Sequence, residues 1–214
     1  MQLPETNVDT LRHRPFYAVA KRAGDVIVAA VGLVLASPIL ALAAIAVKLD
    51  SHGPVFFRQE RIGRNFRPFR IFKFRTMVVD APQLGAQITA GADPRITRVG
   101  RFLRKSKIDE LPQLINVLVG DMSLVGPRPE MPKYVEMFRD DYRFILSVRP
   151  GITDPASIKY RDESAILANS PDPEQMYVEE ILPDKLAIAR AYVAEASVIQ
   201  DICLLAATAR SIFR

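Results

Sequence analysis

The chain has 214 residues, 49% of them hydrophobic, which suits one or two small domains with a core of ordinary size. Its single cysteine, Cys203, excludes a disulfide-stapled fold. A formal net charge of +5 points to an anionic partner, which composition leaves open as nucleic acid, anionic lipid or a phosphorylated substrate.

In chain order, residues 1–20 form a polar N-terminal segment, and Val26 to Val47 then reads VIVAAVGLVLASPILALAAIAV, 22 residues without a charge. As a helix this run is long enough to cross a hydrocarbon layer of about 30 Å. Ser37-Pro38 falls at its middle, where Pro38 removes a backbone donor and crowds the carbonyl of Val34, so a bend is expected. Arg12, Arg14, Lys21 and Arg22 precede the run, and Lys48, Arg58, Arg61 and Arg64 follow it. Basic residues favour the cytoplasmic side, so if both flanks obey that preference the segment enters and leaves on one face as a re-entrant helix. A plain spanning anchor stands beside this reading, because proline is tolerated in spanning helices. The run is too long for the apolar core of a signal peptide and lacks the polar face of a soluble helix.

Residues 53–77, GPVFFRQERIGRNFRPFRIFKFRTM, set aromatic and β-branched residues on either side of Gly63-Arg64-Asn65, which predicts a short β-hairpin. Its arginines suit phosphate or lipid headgroups, or merely protect a solvated edge. After a loop with Gly85, Gly91 and Asp93-Pro94, Arg95, Arg98, Arg101 and Arg104 recur three residues apart, one basic stripe if the stretch is helical. A helix is expected from about Glu110 to Val119, with Asp109 as its N-cap and Gly120 as its stop. In the loop that follows, Pro127 and Pro129 fix the backbone on either side of Arg128, and a rigid arginine suits an oxyanion. The last third reads as helical, best over 130–146 and 184–213, with Val198, Ile202, Leu205, Ala209 and Ile212 at helical spacing. That final helix packs on the core or lies on a membrane surface.

There is no Walker loop, dinucleotide fingerprint, zinc-spaced His/Cys cluster or nucleophile elbow, and the only histidines are His13 and His52. The remaining candidate centre is Asp109-Glu110, preceded by Arg104, Lys105 and Lys107 and followed by Arg128. A DE pair at a helix start is usually just a cap. In cationic surroundings, however, such a carboxylate can attack a phosphoryl group, with Mg²⁺ held by one or two carboxylates screening the repulsion.

Taken together and in order, KRAGDVIVAAVGLVLASPILALAAIAVK, the hairpin sequence, DPRITRVGRFLRKSKIDELPQLINVLVGDMSLVGPRPE and RPGIT resemble the bacterial sugar transferase family, the monotopic phosphoglycosyl transferases. The resemblance implies a mainly α fold with a short β-hairpin: a re-entrant membrane helix over 21–49 broken at Ser37-Pro38, and a compact cytoplasmic catalytic domain over 50–214 with surface amphipathic helices. It implies that Asp109 attacks the β-phosphate of a UDP-sugar, expels UMP and carries the sugar phosphate covalently until a polyprenol phosphate such as undecaprenyl phosphate resolves it. Glu110 matches the dyad partner, and Asp109 and Glu110 are the candidate ligands of Mg²⁺. Arg128 within Pro127-Arg128-Pro129 matches a phosphate-binding element, and Arg104 looks like a further basic contact. The implied partners are the UDP-sugar, the polyprenol phosphate and membrane lipid, with no nucleic acid; a homodimer is compatible. The implied setting is the cytoplasmic face of the bacterial inner membrane, at the first membrane step of glycoconjugate synthesis, whether of polysaccharide, O-antigen or glycoprotein glycan. One departure stands out: the family often reads PGITGWAQ where this chain has Pro150-Gly151-Ile152-Thr153-Asp154-Pro155-Ala156, which bears on sugar or nucleotide contacts and not on the dyad. Larger members also carry several N-terminal spanning helices, so the chain looks like the minimal catalytic form. The rival readings are a membrane-anchored basic module for lipid or nucleic acid, and a metal-dependent nucleotide-sugar diphosphate hydrolase using the same carboxylates.

Overall fold

The structure is a computed structural model and describes residues 15–85 and 88–212. It is mainly helical with a short antiparallel hairpin, as expected. The first helix, α1 (Pro15–Asp50), is 36 residues long and takes in the end of the expected polar segment, whose residues 1–14 lie outside the described residues. Ser37 and Pro38 sit inside this continuous helix. Pro38 has no N–H to give the Val34 carbonyl, and the Ser37 hydroxyl donates to that same oxygen at 2.7 Å. A side-chain hydrogen bond thus stands in for the missing backbone one, the device by which helices in lipid tolerate proline.

One side of α1 carries small residues and packs closely. Ala29 is buried with Val117, Met122 and Val193, and Ala43 and Val47 are buried with Phe74 and Leu103. At Gly32 an added Cβ would stand 3.3 Å from Leu114 Cδ1. The opposite side is apolar and open: Ile27, Val31, Val34, Leu35, Leu42, Ile45 and Leu49 are all exposed, Leu35 at 73%.

Strands β1 (Phe56–Ile62) and β2 (Pro68–Phe74) form the predicted hairpin, in register from Phe56 opposite Phe74 to Ile62 opposite Pro68. Its loop turns through left-handed Asn65 and Phe66 at φ 55° and 60°. Next come α2 (Arg98–Lys105) and α3 (Gln113–Val119), the latter ending on left-handed Gly120 at φ 97° as expected of a glycine stop. A parallel pair absent from the sequence reading follows, β3 (Ser123–Val125) beside β4 (Gly151–Thr153). Between them lie α4 (Pro132–Met137) and α5 (Arg139–Ile145). The chain continues through α6 (Pro155–Lys159), α7 (Glu163–Leu167) and α8 (Pro173–Met176), then by a π-helical turn, Tyr177–Ile181, into α9 (Leu182–Glu195) and finally α10 (Val198–Ile212). Both long helical runs expected in this third are divided. Phe138 leaves helical geometry at φ −119°, ψ 39° in the first, and Ala196 turns extended at ψ 128° in the second.

Polar anchors fix how α1 sits. Arg22 donates to the carbonyls of Val117 and Leu118 at 2.6 and 3.0 Å, at the C-terminal end of α3 where carbonyls lack helical partners. Asp25 accepts the Leu124 N–H at 3.1 Å, and at the far end Asp50 accepts the Val99 N–H at 2.9 Å. Buried Asp201 of α10 gathers Lys21 Nζ at 2.7 Å, Tyr17 OH at 3.1 Å and Tyr192 OH at 2.7 Å. Removing one partner from a buried charged cluster strands the others, at a cost of about 3 kcal/mol. Asp201→Ala is therefore expected to lower the unfolding free energy from chemical denaturation in detergent by about that amount, with the midpoint moved to lower denaturant; an unchanged midpoint would show that the cluster does not hold α1.

Candidate active site

The two carboxylates sit on a tight turn and not at a helix cap. After α2 the chain turns through Lys107, left-handed at φ 59°, and Ile108–Glu110 form a single 3₁₀ turn with Leu111 N donating to Ile108 O at 3.2 Å. With Lys107 left-handed and Ile108–Glu110 closed as a 3₁₀ turn, α3 starts at Gln113 and Asp109 caps nothing. The expected helix over 110–119 thus begins three residues late. Ile108 packs against the cluster that holds Ala43, Val47, Phe74 and Leu103, and elsewhere on α1 Val99 N donates to Asp50 and Leu114 stands close to Gly32.

Asp109 is 7% exposed, and its Oδ1 is buried without a hydrogen-bond partner. Its neighbour is the reverse case. Glu110 Oε1 accepts Lys73 Nζ at 2.7 Å and Arg128 Nη2 at 2.5 Å, and Arg128 Nη1 reaches Oε2 at 3.4 Å. This fork-like contact is the strong form of arginine–carboxylate pairing. Burial alone would push the Glu110 carboxyl up, but Arg128 and Lys73 outweigh it and hold the group well below the usual carboxylate range. For Asp109 the balance tips the other way: burial raises its pKa, Lys73, Arg104 and Lys107 only partly oppose this, and the Glu110 charge adds to it. Burial also lowers the pKa of Lys73, with Arg128 adding to the effect and Glu110 opposing it, while Glu110 raises that of Arg128 more than burial lowers it.

Of the other sequence candidates, Arg128 is joined to the pair by these bonds and Arg104 by its charge. Arg104 is partly buried, donates to Thr89 Oγ1 at 3.3 Å and interacts electrostatically with Asp109 and Glu110. Pro127 and Pro129 are buried on either side of Arg128. The basic stripe is shorter than expected: Thr97 caps α2 by accepting the Gly100 N–H at 3.0 Å, so Arg95 lies before the helix, where its guanidinium pairs with Asp93 at 2.6 Å. Lys73 was missed. The one signal for it is a cation between Phe72 and Phe74 in a strand that otherwise reads as hydrophobic there. Gln113 was missed too: it is buried, and its Nε2 has no partner.

Among the described residues there is no group of three or more His, Cys, Asp or Glu side chains arranged to hold a metal. The oxygen free for a divalent ion is Asp109 Oδ1, whereas both Glu110 oxygens already face cations. This suits an ion held by one carboxylate and by substrate phosphates, the usual manner of Mg²⁺.

The family model described as bacterial sugar transferase matches residues 16–214. The chain belongs to the bacterial sugar transferase family. Over 159 residues it is 45% identical to the UDP-N-acetylgalactosamine-undecaprenyl-phosphate N-acetylgalactosaminephosphotransferase of Aeromonas hydrophila, covering 73% of this chain and 38% of that protein. It is 47% identical over 152 residues to the UDP-glucose:undecaprenyl-phosphate glucose-1-phosphate transferase of Escherichia coli (69% of this chain, 32% of the relative). It is likewise 47% identical over 166 residues to the protein of the same name from Caulobacter vibrioides (73% and 61%). The chain therefore matches less than two thirds of the length of each of these relatives.

The buried Asp109 carboxylate is held at a cost in stability. Because the folded pKa of Asp109 lies above its ordinary 3.8, folding favours the protonated form, and this contribution is lost as pH rises through the raised value. Asp109→Asn, neutral at every pH, is expected to unfold at a higher temperature than the parent at pH 7, with the difference vanishing below about pH 3.8. Equal midpoints at both pH values would contradict the raised pKa.

Proposed function

We propose that the chain transfers a sugar 1-phosphate from a UDP-sugar to a polyprenol phosphate, through a covalent intermediate on Asp109. The observation that carries this reading is the division of the pair: Glu110 is neutralised by Lys73 and Arg128, while Asp109 Oδ1 stays buried, negatively charged when ionised and unengaged. Desolvation raises the reactivity of such a carboxylate, and the cations around it favour its anionic form and attract a diphosphate.

In the first step a carboxylate oxygen of Asp109 bonds to the β-phosphorus, and the bond from that phosphorus to the bridging oxygen breaks, releasing UMP. In the second, a phosphate oxygen of the polyprenol phosphate bonds to the same phosphorus and Asp109 leaves as the free carboxylate. The products are UMP and polyprenyl-diphospho-sugar, and two in-line displacements leave no net oxidation. Arg128, Lys73 and Arg104 balance the charge on the transferred phosphoryl oxygens, the electrostatic stabilisation that dominates phosphoryl transfer. Mg²⁺ bound at Asp109 and the substrate phosphates would supply further charge neutralisation. Undecaprenyl phosphate is the acceptor in all three relatives' names, whereas the sugars in those names differ, which favours that acceptor here and leaves the donor sugar to assay.

The same reading makes α1 a re-entrant membrane helix. Elements of the charged remainder of the chain, the basic helix α2 among them, pack along one side of it from Arg22 to Asp50, while the other side is bare and apolar. A helix crossing the bilayer upright would carry those charged elements into hydrocarbon, at several kcal/mol per unsatisfied group. Cysteines placed at Phe16 and His52 in a Cys203→Ser background are expected to react with an impermeant thiol reagent from the same, cytoplasmic side of the membrane. Labelling from opposite sides would establish a spanning helix.

For the reaction, UMP release from a panel of UDP-sugars with undecaprenyl phosphate should be Mg²⁺-dependent and should fall by at least about 10³ in Asp109→Asn, the scale of losing a nucleophile. Full activity in that variant would sink the mechanism, and free sugar phosphate in place of lipid product would identify a hydrolase instead.

A further inference from the structure

Asp154, where this chain departs from its family's pattern, is 2% exposed and belongs to neither of the pairs described above. Its two oxygens do different things. Oδ1 accepts the Ser157 N–H at 2.7 Å and caps α6, and Oδ2 accepts the backbone N–H of Arg128 at 3.3 Å. The second bond matters because of what surrounds it. In Pro127-Arg128-Pro129 the prolines have no N–H, so Arg128 N is the sole backbone donor of the three.

The rest of this stretch is bound to the same neighbouring strand. Gly126 N donates to Thr153 O at 3.0 Å, and Gly151 N donates to Pro127 O at 2.9 Å. The two strands are so close that a Cβ on Gly151 would stand 2.1 Å from Gly126 N. Gly126 and Pro127 are thus held by backbone atoms of Thr153 and Gly151, and only Arg128 N is held by a side chain. Past it the backbone ladder ends, and the Arg128 side chain, 38% exposed, extends to Glu110. Without the Asp154 oxygen, this half-buried donor loses its partner in the loop that carries the arginine whose fork lies on Glu110.

We propose that Asp154 is a positioning residue for the transfer reaction, holding the Arg128 guanidinium on Glu110 and the substrate phosphate through the Arg128 backbone N–H. This rests on the proposed transferase reading. The side chain touches neither substrate nor Asp109; it sets the register of the loop that carries Arg128. A glycine at this place could make neither bond.

The test separates the two oxygens. Asp154→Ser keeps one acceptor at the distance of an N-cap, enough for Ser157, but cannot also reach Arg128. In wild type, Asp154→Ser, Arg128→Ala and the double variant, UMP release with undecaprenyl phosphate and amide hydrogen exchange in detergent are measured together. Asp154→Ser is expected to cut the turnover rate roughly tenfold and to speed exchange at the Arg128 amide, with the Ser157 amide still protected; outer-shell positioning groups act on this scale. In the Arg128→Ala background the same change should cost less than about twofold, the non-additivity of two residues that act through one group. Asp154→Asn, which keeps one acceptor oxygen and the side-chain shape, should fall between serine and wild type and serves if the serine variant does not fold. Equal losses in both backgrounds, or an Arg128 amide whose exchange does not change, would overturn the assignment. An inactive wild type would refute the transferase reading instead, and an active wild type indifferent to Arg128→Ala would overturn the role of Arg128 and that of Asp154 with it.

Discussion

Two adjacent carboxylates, both largely shut off from water, cannot easily both be charged, and the structure around Asp109 and Glu110 is arranged to manage that repulsion. Lys73 and Arg128 both contact Glu110, which becomes a fixed anion inside a cationic clamp. Asp109 receives charge from a distance but no hydrogen bond at Oδ1. The clamp needs three parts of the chain to converge: β2 for Lys73, the turn after α2 for the pair itself, and the end of β3 for Arg128. Pairs of titratable groups pushed apart in this way are the usual mark of a division of chemical roles.

The long apolar helix is part of that convergence and more than a tether. Arg22, Asp25 and Asp50 tie its polar stretches to α3, β3 and α2, and small residues at Ala29, Gly32 and Ala43 let the framework of the site lie directly on it. Glu110 and Arg128 are thereby built on the same scaffold as the long apolar helix, which suits the proposed reaction of a nucleotide sugar with a lipid phosphate. The hydroxyl of Ser37 on the Val34 carbonyl lets α1 carry a proline at its centre and stay helical.

Much of this was legible in the residues. The apolar run, the hairpin and the glycine stop at Gly120 follow from local patterns that tertiary packing had no reason to override, while Arg128 was tied to the acidic pair through the family resemblance. What was illegible depended on contacts remote in sequence or on backbone geometry without a side-chain signature. Asp109 reads as an N-cap by its pattern, but left-handed Lys107 leads into a 3₁₀ turn over Ile108–Glu110 instead. Arg95 has the spacing of the basic stripe, yet Asp93 lies two residues away and takes it. Lys73 looks like one more hairpin cation, and only the fold brings it to Glu110 from 37 residues away. The parallel pairing of β3 with β4 joins segments of three residues each, too short for any periodicity to announce. Asp154 was noticed only as a departure from the expected pattern, and its second bond depends on that pairing.

The most direct measurement is intact-protein and peptide mass analysis after the enzyme is incubated with a UDP-sugar and Mg²⁺ in the absence of any polyprenol phosphate and then quenched. One sugar phosphate is expected on the peptide that contains Asp109, formed together with UMP, absent from Asp109→Asn, and lost when undecaprenyl phosphate is added. UMP appearing only once the acceptor is present, with no adduct at any time, would contradict a covalent role for Asp109 and point to direct transfer between the two substrates.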